Sequence, residues 1–187
     1  AARPAFEPCR LRVDRGAPCV IWQQLLLGGI GTEEKADVVW GPHGTRPLRL
    51  AQPSIATIHD FTSITMPGRH KLSTLTSFNA FIGPSLARAA AIAAVSRTTA
   101  DEAIRGFGIH RSKIEIVPNG VDRYFSPRTS DSDALPTGIV PDGYILYVGT
   151  IEPRKGLADL LAAWHVLRLP RPQLVVCGDS GWRSEAL

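Results

Sequence analysis

The chain has 187 residues, 44% of them hydrophobic and 20% charged, enough for one large domain or two small ones with a sizeable core. No run of about 18 uncharged apolar residues occurs, which excludes a membrane-spanning helix. The net charge of +4 is concentrated in residues 1–90, with 10 Lys/Arg against 6 Asp/Glu, while residues 91–187 hold 11 against 11; a basic surface can attract phosphates or anionic lipid headgroups, but single arginines without basic runs or interleaved aromatics argue against nucleic acid, and a merely solvated surface is the plain alternative.

In chain order, the opening AARPAFEPCR lacks the basic start and long apolar stretch of a signal peptide, so a cytoplasmic location is expected. Cys9, Cys19 and Cys177 are odd in number and far apart, with no CxxC pair and no His at a zinc spacing, and read as reduced thiols with no metal site. The run LLLGGIG (25–31) has the letters of a phosphate loop, but no clear strand leads into it and no good helical face follows, so a plain turn is expected.

From about residue 37, short apolar runs alternate with helical patterns, the signature of a parallel sheet wrapped by helices. DVVW (37–40), SIATIH (54–59), AIAAV (91–95) and KIEIV (113–117) read as strands. Ala100, Ala103, Ile104 and Phe107 fall at i, i+3, i+4 and i+7, which predicts one helix between the last two strands, capped by Ser96 and ended by Gly108. SPRTSDSDALPTGIVPDG (126–143) has no apolar period and reads as a linker between compact units. A second β-α-β unit follows: YILYVG (144–149), a helix with Leu157, Leu160, Leu161 and Trp164 on one stripe, and QLVVCG (173–178).

The chemistry concentrates at the carboxyl ends of these strands, where open α/β sheets bind ligands. After YILYVG stands Thr150-Ile151-Glu152-Pro153-Arg154-Lys155-Gly156. Two cations at the start of a helix oppose its macrodipole, so an anion is expected to compensate, and a diphosphate fits. The competing reading is two solvated cations with Glu152 as a local partner. Asn119-Gly120, after the strand 113–117, favours a tight turn with positive φ that would line a crevice between domains or simply reverse the chain. His59 and His43 follow their strands at sites where an imidazole can donate to a phosphate or hydroxyl, although a lone His is more often structural. Asp60 reads as a local cap, with no evidence for a general base.

The segments ADVVWGPHGTRPL, IATIHDF, AAAIAAVSRTTADEAIRGFGI, KIEIVPNGVDRYFSP, YILYVGTIEPRKGLADLLAAW and LVVCGDSGW, in this order over about residues 36–183, resemble the retaining GT-B glycosyltransferases of family 4, especially the mannosyltransferase-like members of polysaccharide and lipopolysaccharide biosynthesis. The resemblance implies an α/β fold of GT-B type with two Rossmann-like domains: residues 1–125 on the acceptor side, the linker 126–143, and 144–187 as the first βαβ unit of a truncated nucleotide-sugar-binding domain. It further implies that Arg154 and Lys155 hold the donor diphosphate, that His59 contacts the sugar or diphosphate, that Gly149 and Thr150 bring backbone close to the phosphates, and that Asn119 and Gly120 shape the cleft. The donor, with GDP-mannose as the candidate, enters as a substrate; no metal or other cofactor is implied. The partner implied is a glycan or lipid-linked acceptor, and the basic first half of the chain suits peripheral contact with an anionic membrane at its inner face or a phosphorylated acceptor.

Three departures accompany the resemblance. GGIG lies too close to DVVWGPHG to be the family's amino-terminal glycine-rich loop, the paired-glutamate segment falls beyond Leu187, and Thr150 stands where several members carry Arg. These leave the donor's identity open, and the 187-residue piece alone is expected to be inactive. A second class of reading is a truncated, non-catalytic remnant that binds nucleotide or a partner.

Overall fold

The computed structural model describes residues 22–126, 135–141 and 143–186. Cys9, Cys19 and residues 127–134 and 142 of the expected linker 126–143 lie outside the described residues. The elements in chain order are a π-helical turn Gln23–Leu27 running into α1 (Gly28–Glu33), β1 (Val39–Gly41), β2 (Ser54–Ile58), α2 (Thr62–Thr65), α3 (Leu72–Arg88), β3 (Ala91–Ala94), α4 (Arg97–Phe107), β4 (Ile114–Ile116), β5 (Tyr144–Val148), α5 (Leu157–His165) and β6 (Gln173–Cys177). Every predicted strand is present; β1 starts two residues later and ends one later than expected, and the others are shortened at their ends. The chain divides into two compact units, Ala1–Phe61 with Ser77–Pro118 and Thr62–Thr76 with Asn119–Leu187.

In the first unit β1, β2, β3 and β4 form one parallel sheet in that order. Burial alternates along β2 (SIATI) and β3 (AIAA): Ser54, Ala56, Ile58, Ile92 and Ala94 are buried, while Ile55 is exposed. Ala56, Ile58, Ile92, Ala94 and Ile114 from the sheet pack with Ile82 and Leu86 of α3 and Ala100 and Ala103 of α4. Gly83 of α3 permits a close approach, since a Cβ there would stand 3.2 Å from the Phe107 ring. That ring in turn lies 5.0 Å from Phe61, centroid to centroid.

Helix α4 forms where its local chemistry says it should. Ser96, in extended geometry, accepts from the Thr99 amide, and Gly108 closes the helix in the left-handed region at φ +64°. Ser96→Ala leaves that amide without its side-chain acceptor and is expected to cost about 1 kcal/mol, read as a lower denaturation midpoint.

Two parts of this unit differ from the sequence reading. LLLGGIG (25–31) is helical rather than a turn. The amide side chains of Gln23 and Gln24 donate to the carbonyls of Thr45 and Arg46 at 3.0 and 2.9 Å, and Gln24 accepts from the Leu48 amide at 3.0 Å. Buried Gly31 packs toward Val39, whose Cγ2 would be in ordinary contact, 3.4 Å, with a Cβ there. The segment is thus held by polar side chains and a small-residue contact, which leave no apolar stripe to read. Helix α3 was not predicted, because Pro84 inside it reads as a break and masks the fully buried Ile82 and Leu86.

Arg46, 5% exposed, joins the Thr45–Leu50 loop to α3. Its guanidinium donates to the Leu50 carbonyl at 2.9 Å and to that of Arg88, at the end of α3, at 3.4 Å. Burial, with Arg88 nearby adding to it, pushes its pKa down.

In the second unit β5 and β6 pair in parallel. Helix α5 is preceded by its cap Gly156, which is left-handed at φ +71°, and carries Asp159 in its first turn, where a carboxylate suits the helix dipole. Trp164 of α5 donates from its indole N–H to the Pro172 carbonyl at 2.7 Å, fixing the return into β6. Cys177, at the end of β6, is an exposed free thiol.

Candidate functional site

In the first unit the carboxyl ends of β1 and β2 bring His43 and His59 together, their ring centroids 6.3 Å apart and both residues exposed. His59 Nε2 lies 3.0 Å from the Pro42 carbonyl oxygen. A carbonyl can only accept, so this contact requires the proton on Nε2 and leaves Nδ1 with the lone pair in the neutral ring. The His59 carbonyl accepts from the Thr99 hydroxyl at 3.2 Å, tying the end of β2 to the first turn of α4. His59 is therefore held through both backbone and ring.

In the second unit the loops after β5 and β6 are zipped together. Gly149 N–H donates to the Cys177 carbonyl at 2.9 Å, Ile151 N–H to Asp179 at 2.9 Å, and Gly181 N–H to Ile151 at 3.0 Å. The Gly149 amide is therefore spent on the sheet. Thr150 is exposed, and its carbonyl accepts from the Tyr147 hydroxyl at 3.4 Å.

Arg154 and Lys155 stand differently from the sequence reading, which put them at the start of the apolar-faced helix. They occupy a separate 3-10 turn, Pro153–Lys155, and left-handed Gly156 intervenes before α5. The rigid ring of Pro153 favours that turn, and Gly156 lets the chain change direction without steric cost. Arg154 Nε lies 2.7 Å from Glu152 Oε1, so Glu152 does act as the local partner the competing reading supposed. A guanidinium offers about five N–H donors, and this contact engages one edge of it. Lys155 is exposed.

Around this turn a pocket of about 250 Å³ is lined by Arg69, His70, Lys71, Glu152, Arg154 and Trp182. Arg69 Nη1 donates to the Pro153 carbonyl at 3.4 Å, and His70 Nε2 lies 3.1 Å from the Thr62 hydroxyl. Trp182 carries the Arg183 guanidinium 4.6 Å from its ring centroid. Sequence reading passed over Arg69, His70 and Lys71, although the run Pro67-Gly68-Arg69-His70-Lys71 puts two cations beside a turn-forming pair.

Asn119 and Gly120 are exposed and follow β4, but the expected turn is absent there. Neither residue has positive φ, and a Cβ on Gly120 would meet nothing within 4 Å. The chain turns later, where Asp122 accepts from the Tyr124 amide at 2.9 Å through its side chain and from the Phe125 amide at 3.0 Å through its carbonyl. An aspartate that bonds the backbone two residues on makes the reversal without a left-handed residue. Among the described residues no cluster of His, Cys, Asp or Glu could hold a metal ion, and no helix is long and apolar enough to cross a membrane.

Residues 3–125, well over half of the chain, match the family described as Glycosyltransferase Family 4. The chain belongs to glycosyltransferase family 4. Within that family it is similar to the O-antigen chain mannosyltransferase B of Escherichia coli, 30% identical over 154 residues that cover 79% of this chain and 40% of that protein. It is also similar to the D-inositol 3-phosphate glycosyltransferase of Paenarthrobacter aurescens (strain TC1), 32% identical over 88 residues that cover 46% of this chain and 22% of that protein. The chain thus spans less than half the length of each of these relatives. Its parallel sheets with flanking helices are the Rossmann-like architecture of a GT-B family 4 glycosyltransferase.

Proposed function

We propose that the natural protein carrying this sequence transfers a sugar from a nucleotide-sugar donor to a glycan or lipid-linked acceptor, with retention of the anomeric configuration. The observation that carries this reading is the similarity of 154 residues to a protein named as a mannosyltransferase, within a chain of family 4 that sets Arg154 and Lys155 just beyond the carboxyl end of β5. GDP-mannose is the proposed donor, and polysaccharide or lipopolysaccharide assembly at the inner face of an anionic membrane the proposed setting. The excess of cations in residues 1–90 supports that location.

In this reading Arg154 and Lys155 hold the donor diphosphate and neutralise the charge that grows on it as the glycosidic bond breaks, an electrostatic contribution that often dominates catalysis. Glu152 keeps the Arg154 fork in place through its Nε edge. The acceptor hydroxyl forms its bond to the anomeric carbon on the face from which the diphosphate leaves, and a diphosphate oxygen takes the hydroxyl proton. No protein base is required, and cationic side chains supply the charge that a divalent ion supplies elsewhere. His59, with its proton held on Nε2 by the Pro42 carbonyl, contacts the sugar or diphosphate through the rest of the ring or through a tautomer change. Thr150 offers its hydroxyl beside the phosphates and Gly149 a backbone without a side chain, while Asn119 and Gly120 border the acceptor side. The 187-residue chain by itself is proposed to lack transfer activity.

The test is a panel of nucleotide sugars incubated with the natural protein and extracted acceptor, scored by nucleoside diphosphate release and by the anomeric configuration of the product. The reading expects GDP release with an α-linked product from the α-configured donor. An inverted product overturns the mechanism. If the purified protein binds nucleotides yet turns over no donor in the presence of acceptor, the non-catalytic alternative holds instead.

A further inference from the structure

The pocket beside the Pro153–Lys155 turn gathers three basic side chains, Arg69, Lys71 and Arg154, against the single carboxylate of Glu152. That carboxylate sits on the Nε edge of Arg154, leaving the terminal nitrogens as donors. The segment Thr62–Thr76 belongs to the same compact unit as the turn, although the residues on both sides of it belong to the other. Within that unit Arg69 reaches across 84 positions of sequence to the Pro153 carbonyl. Like charges gathered at one concavity repel one another, and an anion removes the repulsion; Arg forks suit the oxygens of a phosphoryl group. Half-buried Trp182 adds a flat apolar wall of the kind that packs on a sugar ring.

We propose that this pocket is a phosphoryl-group subsite in which Arg69 and Lys71 act as ligands together with Arg154, and that the phosphoryl group is carried by a sugar or nucleotide packed against Trp182. It deepens the sugar-transfer reading by giving the segment 62–76 a role in substrate binding, and rests on that reading only for the identity of the substrate. Two sources share this chemistry: the diphosphate of the donor, and a phosphate on the acceptor.

The experiment is a calorimetric titration of the 187-residue chain with inorganic pyrophosphate, GDP and mannose 6-phosphate, at low and moderate salt. It compares the unchanged protein with R69Q/K71Q, W182F and Lys155→Ala. Arg69 and Lys71 are exposed, so the double substitution leaves folding intact, which circular dichroism verifies. The proposal expects pyrophosphate binding that weakens with salt and falls at least about fivefold in R69Q/K71Q. Loss of GDP binding in the double variant names the donor as the source, and loss of mannose 6-phosphate binding names the acceptor. W182F weakens the organic ligands and spares pyrophosphate. If R69Q/K71Q binds all three probes as the unchanged protein does, or if the unchanged protein binds none of them, the subsite does not exist. A failure of Lys155→Ala to weaken GDP counts against the donor role of Lys155 and leaves the pocket proposal standing.

Discussion

Lys155→Ala in the natural protein is expected to lower sugar transfer at least about tenfold, which corresponds to about 1.4 kcal/mol of barrier, with the loss falling mainly on kcat. The effect is electrostatic. Negative charge accumulates on the departing diphosphate only as the glycosidic bond breaks, so a cation set against it helps the transition state more than the bound donor. Lys155 is exposed in a 3-10 turn, where its removal disturbs no core, so an effect on turnover cannot be assigned to misfolding. Initial rates of nucleoside diphosphate release at saturating donor check this. Unchanged turnover removes Lys155 from the site.

Gly178→Ala is expected to be the most damaging single change to the second unit. A Cβ on Gly178 would stand 2.0 Å from the Gly149 carbonyl oxygen and 2.7 Å from its carbon, both of them backbone atoms that cannot swing aside. Relief requires the loops after β5 and β6 to part, which breaks the bonds from Gly149 to Cys177 and from Ile151 to Asp179. Overpacking of this kind costs about 3 kcal/mol or more, and a chain of this length then melts roughly 6–12 °C lower. Differential scanning calorimetry reads the shift. Because the same bonds position the Arg154 turn, the variant also loses pyrophosphate affinity, whereas Ser96→Ala in the first unit leaves that affinity as it was.

The parts of this molecule that sequence reveals are those whose causes are local. Helix α4 is legible because its cap, its apolar face and its closing glycine all lie between Ser96 and Gly108. The six strands are legible because each is a short apolar run set between helical patterns and turn residues. Helix α3 is hidden by one proline, and α1 by Gly28, Gly29 and Gly31, poor helix formers that leave no apolar stripe, while the hydrogen bonds that hold the segment join Gln23 and Gln24 to residues 45–48, later in the chain. Arg154 and Lys155 are recognisable from the run around them, yet the intervening Gly156 changes their relation to the helix dipole, and their geometry follows from the turn rather than from α5. Asn119-Gly120 shows the opposite failure: a pair with strong turn chemistry that makes no turn, because Asp122 makes it instead.

Arg69 and Lys71 were the least accessible to sequence reasoning. The run Pro67-Gly68-Arg69-His70-Lys71 marks only a basic turn, and it is the fold that brings Arg69 to a turn 84 residues away. Basic residues scattered singly through residues 1–90 read as a general surface charge, and the structure gathers two of them with Arg154 around one pocket.

A crystal structure of the natural protein with GDP-mannose bound shows whether the Arg154-Lys155 turn grips a diphosphate. The diphosphate oxygens are expected within about 3 Å of the Arg154 terminal nitrogens and Lys155 Nζ, the spacing of charge-assisted hydrogen bonds. A diphosphate bound elsewhere, with both side chains turned to solvent, would contradict that grip.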